Sequence, residues 1–176
     1  MNNSQEQSIL LIEDNPGDRR LINEMLKEIT TFQYRLIFAE TLKEGCEQIK
    51  NNQPILILLD LNLPDSTGKE TFDTIIKYAD QIPVVLVSGM KNMELSLSLI
   101  KQGAQDYLNK NELNSSLLAR TIEFAIERKK LLSQLKAKTM ELEKLNSYYV
   151  SREMRILELK GELNHMFEMT GEKKRY

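Results

Sequence analysis

The sequence predicts a doubly wound α/β domain on a five-stranded parallel sheet, whose last helix runs on into a long coiled coil. Three observations carry this expectation. Five short apolar runs alternate with stretches whose apolar residues recur at helical spacing, the pattern of parallel strands joined by crossover helices. The runs over 9–12, 55–59 and 84–87 are continuously apolar, as strands covered on both faces must be. From about Ser115 glycine and proline nearly vanish, and apolar residues settle into a seven-residue repeat.

The elements follow in order. The first strand is placed over 9–12. A helix follows behind Pro16, which suits an early helical turn, with Leu21, Ile22, Met25, Leu26 and Ile29 as its apolar stripe. The second strand lies over 34–38 and the second helix carries Leu42, Cys46 and Ile49; Cys46 reads as a packed core thiol. The third strand, 55–59, precedes a helix on Phe72, Ile75 and Ile76; the fourth, 84–87, precedes one on Leu95, Leu99 and Ile100; the fifth spans 106–108. The last helix starts near Ser115. Its seam runs Leu131, Leu135, Lys138, Leu142, Leu145, Tyr149, Arg152, Ile156, Leu159, Leu163 and Met166, in steps of four and three. Traced backwards, the same steps reach Arg128, Phe124, Thr121 and Leu117, so no linker is visible. The expected organisation is an α/β domain over 1–127 and a helical extension over 128–176.

A seven-residue period favours a left-handed supercoil with another helix. A parallel dimer is expected, the alternative being a hairpin folding back within one chain. Lys138 and Arg152 are the polar seam positions, and Gly161 costs about 1 kcal/mol relative to alanine.

Composition narrows the chemistry. At 176 residues, 41% hydrophobic and 28% charged, the chain has room for a real core. One cysteine and one histidine exclude a disulfide framework and any multi-Cys or multi-His metal site within one chain. The first residues show no basic-then-apolar signal pattern, and no apolar run approaches the ~18 residues of a spanning helix. A cytoplasmic protein with no membrane partner is expected. The net charge of −2 hides an asymmetry: 12 Lys+Arg against 19 Asp+Glu over 1–127, and 12 against 7 over 128–176. This reads as the solvated face of a charged helix.

In an open parallel sheet, ligands bind beyond the carboxyl ends of the strands. Those ends carry Glu13 and Asp14, Asp60, Ser88 and Lys110. Alone, an aspartate at a strand end is most often a cap or turn residue. Three carboxylates in one crevice, however, repel unless a cation sits among them. Oxygen-only ligands suit Mg²⁺, and the lysine and serine complete a site for a metal-bound phosphoryl group. Asp18 is assigned to the acidic first turn of its helix, and Asp65 and Gly68 to shaping the loop after the third strand.

The segments ILLIEDNPGDRRL, LLDLNLPDSTG, VVLVSG and GAQDYLNKNEL together resemble the receiver domain of two-component response regulators, over roughly residues 7–127. The resemblance implies a flavodoxin-like sheet of order 2-1-3-4-5 and a set of roles. Asp60 is the phosphoacceptor, taking a phosphoryl group from a phosphohistidine on a sensor histidine kinase or phosphotransfer protein. Asp14, Asp60 and the carbonyl of Asn62 hold Mg²⁺ directly, and Glu13 reaches it directly or through water. Lys110 pairs with Asp60 and then with the phosphoryl oxygens, Ser88 supplies the switch hydroxyl, Tyr107 is the aromatic switch, and Gly89 leaves room for the phosphoryl group. Such a protein catalyses only its own phosphotransfer and dephosphorylation. One departure stands out: many receivers have proline after the lysine, where this chain has Asn111.

The tail carries no helix-turn-helix or enzymatic motif. Residues 120–130 resemble the last helix of receivers that precede sensory or kinase modules, and 151–166 resemble the linkers flanking PAS domains, so a fragment of a larger receiver-PAS or receiver-kinase protein is one alternative. A constitutive coiled-coil scaffold is another. His165 lacks the acidic residue that follows a kinase phosphorylation site and reads as part of a solvated helix. The basic residues Arg128, Lys129, Lys130, Lys136 and Lys138 are too sparse, with Glu141 and Glu143 close behind, to favour nucleic-acid binding. A Mg²⁺-dependent phosphohydrolase needs a second carboxylate two residues after its nucleophile, where Asn62 stands. The favoured expectation is a phosphoacceptor response regulator that forms a homodimer through its C-terminal helix.

Overall fold

The computed structural model describes residues 7–29, 34–89 and 93–170. In chain order it contains β1 (Ser8–Ile12), α1 (Pro16–Glu28), β2 (Arg35–Ala39), α2 (Leu42–Asn52), β3 (Leu56–Leu59), β4 (Asn62–Leu63), β5 (Ser66–Thr67), α3 (Lys69–Tyr78), β6 (Val84–Ser88), α4 (Met93–Ile100), β7 (Asp106–Asn109) and α5 (Ser115–Thr170). Five strands form one parallel sheet of order β2-β1-β3-β6-β7, the 2-1-3-4-5 order expected. The chain steps outward from β1 to β2 and then back across to β3. That reversal opens a crevice at the carboxyl ends of β1 and β3, where ligands of such sheets bind.

Alternate residues of each inner strand feed two cores. Leu10, Ile12, Ile57, Leu59 and Leu86 pack with Phe72, Ile75 and Leu99 on the face covered by α2, α3 and α4. Ile9, Leu11, Leu58, Val85 and Val87 pack with Ile22, Leu118, Ile122 and Ala125 on the face covered by α1 and α5. Both faces being covered explains why these strands read as unbroken apolar runs. Cys46 is half-buried against the first core, and burial pushes its thiol pKa up.

Local chemistry fixes the helix starts. Asn15 Oδ1 accepts from the amides of Gly17 (2.8 Å) and Asp18 (3.4 Å) behind Pro16, and Thr41 Oγ1 accepts from Glu44 (3.2 Å). A two-stranded hairpin, β4–β5, follows β3; strands of two residues are too short to leave an alternating pattern in the sequence. Its exit is Gly68, at φ 61°, whose amide donates to Leu61 O at 2.7 Å.

The chain divides into two compact units, Met1–Leu131 and Leu132–Tyr176. In the first, α5 turns Leu118, Ile122 and Ala125 onto the sheet. This face is set one residue off the seam traced backwards: Thr121 is buried but Phe124 is exposed. Within the described residues α5 runs as one helix to Thr170 with no turn, so these residues do not form the single-chain hairpin. Seam residues Leu135, Leu142, Leu145, Tyr149, Ile156, Leu159 and Met166 are all exposed, as are Lys138 and Arg152. Among the described residues no helix is long and apolar enough to cross a membrane.

Gly45 of α2 sits where an added Cβ would come within 2.5 Å of Ile12 Cδ1, in the fully buried β1. Gly45→Ala gains about 1 kcal/mol of helix propensity but overpacks the core by about 1–3 kcal/mol. The expected result is a lower urea midpoint for Gly45→Ala, and a favourable coupling of about 1 kcal/mol when Ile12→Val removes the clashing methyl in the double variant.

Candidate functional site

Glu13 and Asp14 follow β1 directly. The Glu13 amide donates to Ala39 O at 3.0 Å, tying the end of β1 to β2, and its side chain is fully buried. Its Oε1 accepts from the Asn15 amide at 3.2 Å. Asp60 follows β3; its amide donates to Ile12 O at 2.9 Å, holding it beside the β1 exit, and its Oδ1 accepts from the Asn62 amide at 3.0 Å. Lys110 opens a short 3-10 helix (Lys110–Glu112) after β7. Asn109 Oδ1 caps this turn by accepting from the Asn111 amide at 3.1 Å. Asn111 therefore has a place in positioning the lysine, and no cis peptide occurs among the described residues.

The lysine gathers the site. Its Nζ lies 2.6 Å from Glu13 Oε2, 2.6 Å from Asp60 Oδ2 and 2.8 Å from Asp18 Oδ2. Burial disfavours its charge, but the bonds to Asp18, Asp60 and Glu13 outweigh that and hold its pKa above the ordinary lysine value. Glu13 shows the opposite balance. Burial pushes its pKa up to about 7, the Lys110 hydrogen bond pulls it down, and the neighbouring Asp60 charge raises it.

Carboxylate oxygens of Glu13, Asp14 and Asp60 all lie within 4.8 Å of one another. Three carboxylates, Glu13, Asp18 and Asp60, pair with the one ammonium, and Asp14 adds a fourth acid beside Glu13 and Asp60, an arrangement short of positive charge. Hard oxygen donors with no sulfur or imidazole suit Mg²⁺, and the exposed Asp14 leaves one side open for the waters that ion retains. The residues present fit the ion.

Ser88 is fully buried at the end of β6. Tyr107 on β7 is half-buried, and its hydroxyl donates to Ser88 O at 3.4 Å; burial pushes its pKa up, helped by Glu112. An added Cβ at Gly89 would meet no atom within 4 Å. The structure thus brings Glu13, Asp14, Asp60 and Lys110 into one cluster, with Asn62 bonded to its edge, and places Ser88 and Tyr107 together on the adjoining strands.

Four side chains make contacts that the sequence pattern does not reveal. Asp18 does lie in the first turn of α1, but it also reaches Lys110, 92 residues away. Asp65 does more than shape its loop: Oδ1 and Oδ2 accept from the Leu42 and Lys43 amides (2.8 and 3.1 Å), capping α2. Desolvation opposes its charge, yet these two donors hold its carboxyl below the usual range. Arg128 Nη1 donates to Gln105 O at 2.7 Å and Lys129 Nζ to Asp80 O at 2.8 Å, so two members of the basic run bind backbone carbonyls. No local signal marks any of these. His165 is exposed.

The response regulator receiver domain family matches residues 9–122. Cell cycle response regulator CtrA of Brucella ovis is 35% identical over 112 residues, covering 64% of this chain and 47% of that protein. Hybrid signal transduction histidine kinase D of Dictyostelium discoideum is 30% identical over 116 residues, 65% of this chain and 7% of that one. The chain spans less than two thirds of the length of these curated relatives. Among solved structures, the receiver domain of NtrX from Brucella abortus superposes with a TM-score of 0.61 at 29% identity, covering 68% of this chain and 98% of that one. A response regulator receiver domain protein from Clostridium thermocellum does so at 0.63 and 25%, covering 72% and 98%.

Removing the shared cation exposes the repulsion it offsets. In EDTA, Lys110→Met is expected to lose about 2 kcal/mol of stability at pH 8, less than a fully buried pair because the lysine keeps some solvent contact. Glu13 has a folded pKa of about 7 against an ordinary 4.5. Between those values the folded state holds the extra proton, so the Glu13 contribution to stability falls as pH rises. Without Lys110 that pKa climbs further, and urea denaturation should show a smaller loss at pH 5 than at pH 8.

Proposed function

We propose a function for the chain on one premise: it belongs to the response regulator receiver domain family of two-component signalling. Asp60 is the phosphoacceptor. A carboxylate oxygen of Asp60 attacks the phosphorus of a phosphohistidine on a histidine kinase or phosphotransfer protein. A P–O bond forms, the P–N bond breaks, and the imidazole leaves with the electron pair, so Asp60 carries an acyl phosphate. The observation that supports this most is the meeting of Asp60 with Glu13 and Lys110, from three separate strand ends, around one ammonium.

Glu13, Asp14, Asp60 and the Asn62 carbonyl would hold Mg²⁺. When bound, it would supply positive charge against the phosphoryl oxygens. Lys110 moves from the Asp60 carboxylate to those oxygens, a short path for a flexible stem already 2.6 Å from Oδ2. The Ser88 hydroxyl turns toward the phosphoryl group, and Tyr107, bonded to Ser88 O, turns inward with it. The chain catalyses only its own phosphotransfer and the hydrolysis of its acyl phosphate. Residues 1–127 act as the receiver, and 128–176 as a helical extension whose exposed seam pairs two copies in a parallel coiled coil. Phosphorylation then changes how the copies associate. The length of exposed seam also favours a second reading, a constitutive coiled-coil scaffold whose assembly ignores the site.

Two experiments test this. With Mg²⁺ and phosphoramidate, wild type should incorporate phosphate and Asp60→Asn should not; equal incorporation removes Asp60 as acceptor. By sedimentation equilibrium, beryllium fluoride with Mg²⁺ should shift the association of wild type and leave Asp60→Asn unmoved. If both proteins are equally dimeric throughout, the scaffold reading stands. Separately, Leu142→Glu with Leu145→Glu places charge on two exposed seam positions, and should give a monomer with unchanged phosphate incorporation.

A further inference from the structure

We propose that Asp18 is a positioning residue for Lys110, holding the ammonium toward α1 and screening its charge from the carboxylates that would take the metal ion. The proposal deepens the phosphoacceptor reading of the same site and rests on it for its consequence, though the contact itself is independent of it.

The geometry separates Asp18 from the other acids. Glu13, Asp14 and Asp60 form the group whose oxygens converge within 4.8 Å, and Asp18 is outside it. Its Oδ2 instead meets Lys110 Nζ at 2.8 Å. Lys110 Nζ donates hydrogen bonds to Asp18 Oδ2 (2.8 Å) and Asp60 Oδ2 (2.6 Å) and is ion-paired with Glu13 Oε2 at 2.6 Å. Two of those carboxylates belong to the converging group; Asp18 is the one that does not.

Helix capping does not account for this side chain. The amides of Gly17 and Asp18 are already taken by Asn15 Oδ1, so α1 has its cap without the Asp18 carboxylate. A negative charge in the first turn helps the helix wherever the side chain points; only the contact to Lys110 requires this direction. Lysine carries a compact charge on a flexible four-carbon stem, and a second anchor on the α1 side limits where that charge can lie. Without it, the ammonium has only Glu13 and Asp60 to pair with, and more of its charge acts on the two carboxylates that would help hold a divalent cation. The contact sits at the crevice mouth, with Asp18 32% and Lys110 18% exposed, so water can replace the lost carboxylate and the fold should tolerate its removal.

The test uses the full chain with labelled lysine, reading the Lys110 ammonium signal by NMR and assigning it by its loss in Lys110→Arg. In EDTA, Asp18→Asn should shift that signal and speed its exchange with solvent, and Asp18→Glu should restore it. Asp18→Ser gives the same reading should the asparagine variant not fold. On titration with Mg²⁺, followed by the same signal, Asp18→Asn should bind about tenfold more weakly than wild type, with Asp18→Glu close to wild type. A Lys110 signal indifferent to Asp18 overturns the proposal. A signal that moves with no change in Mg²⁺ affinity overturns the screening half of it. A wild type that takes up neither Mg²⁺ nor phosphate, while its Lys110 signal still depends on Asp18, overturns the phosphoacceptor reading and upholds the positioning role.

Discussion

One ammonium group organises the business end of this molecule. Lys110 Nζ is bonded to carboxylates that arrive from the exit of β1, the first turn of α1 and the exit of β3. Without a cation these acids would repel one another in a crevice where Glu13 is fully buried and Asp60 nearly so. The balance is uneven: Lys110 is held charged, while Glu13 is pushed toward its neutral form. A site with more negative than positive charge is poised to take a further cation, and the hard oxygen donors decide which kind.

The sheet makes that meeting possible. Glu13 and Asp60 are adjacent because β1 and β3 are adjacent, with Ile12 paired to Leu59 and the Asp60 amide bonded to Ile12 O. A one-residue slip of either strand would turn its side chains to the opposite face, disrupting both cores and breaking the register that sets the two acids side by side. Burial of unbroken apolar strands on two faces therefore fixes the register, and the register fixes the site. The fully buried Leu11, Leu58 and Val85 are in that sense part of the chemistry.

Around this frame, polar contacts between distant segments set the loops. Asp65 caps α2 and so ties the segment after β3 to the neighbouring crossover. Thr71, fully buried, bonds Leu61 O and Ser66 Oγ and anchors the β4–β5 hairpin to α3. The Asn109 cap on the 3-10 turn sets the direction in which Lys110 leaves β7. Each is a modest interaction, and together they leave the crevice little freedom.

Much of this was legible in the sequence because burial leaves a periodic trace. The three continuously apolar strands announced a parallel sheet covered on both faces, and the strand ends then named Glu13, Asp14, Asp60, Ser88 and Lys110 as neighbours. The seven-residue repeat in the same way announced a long helix with one apolar seam, since that pattern depends on helical geometry alone. Periodicity reports which side of an element is buried, but it is silent on which polar group meets which. The reach of Lys110 to Asp18, the cap that Asp65 places on α2, the engagement of Arg128 and Lys129 with backbone carbonyls and the two-residue strands of the hairpin were decided only by the folded chain. The hairpin strands are too short to leave a periodic trace, and the partners of the other contacts lie tens of residues apart, set by loop paths and packing, whereas the sheet and the seam are set by a local alternation of apolar and polar side chains.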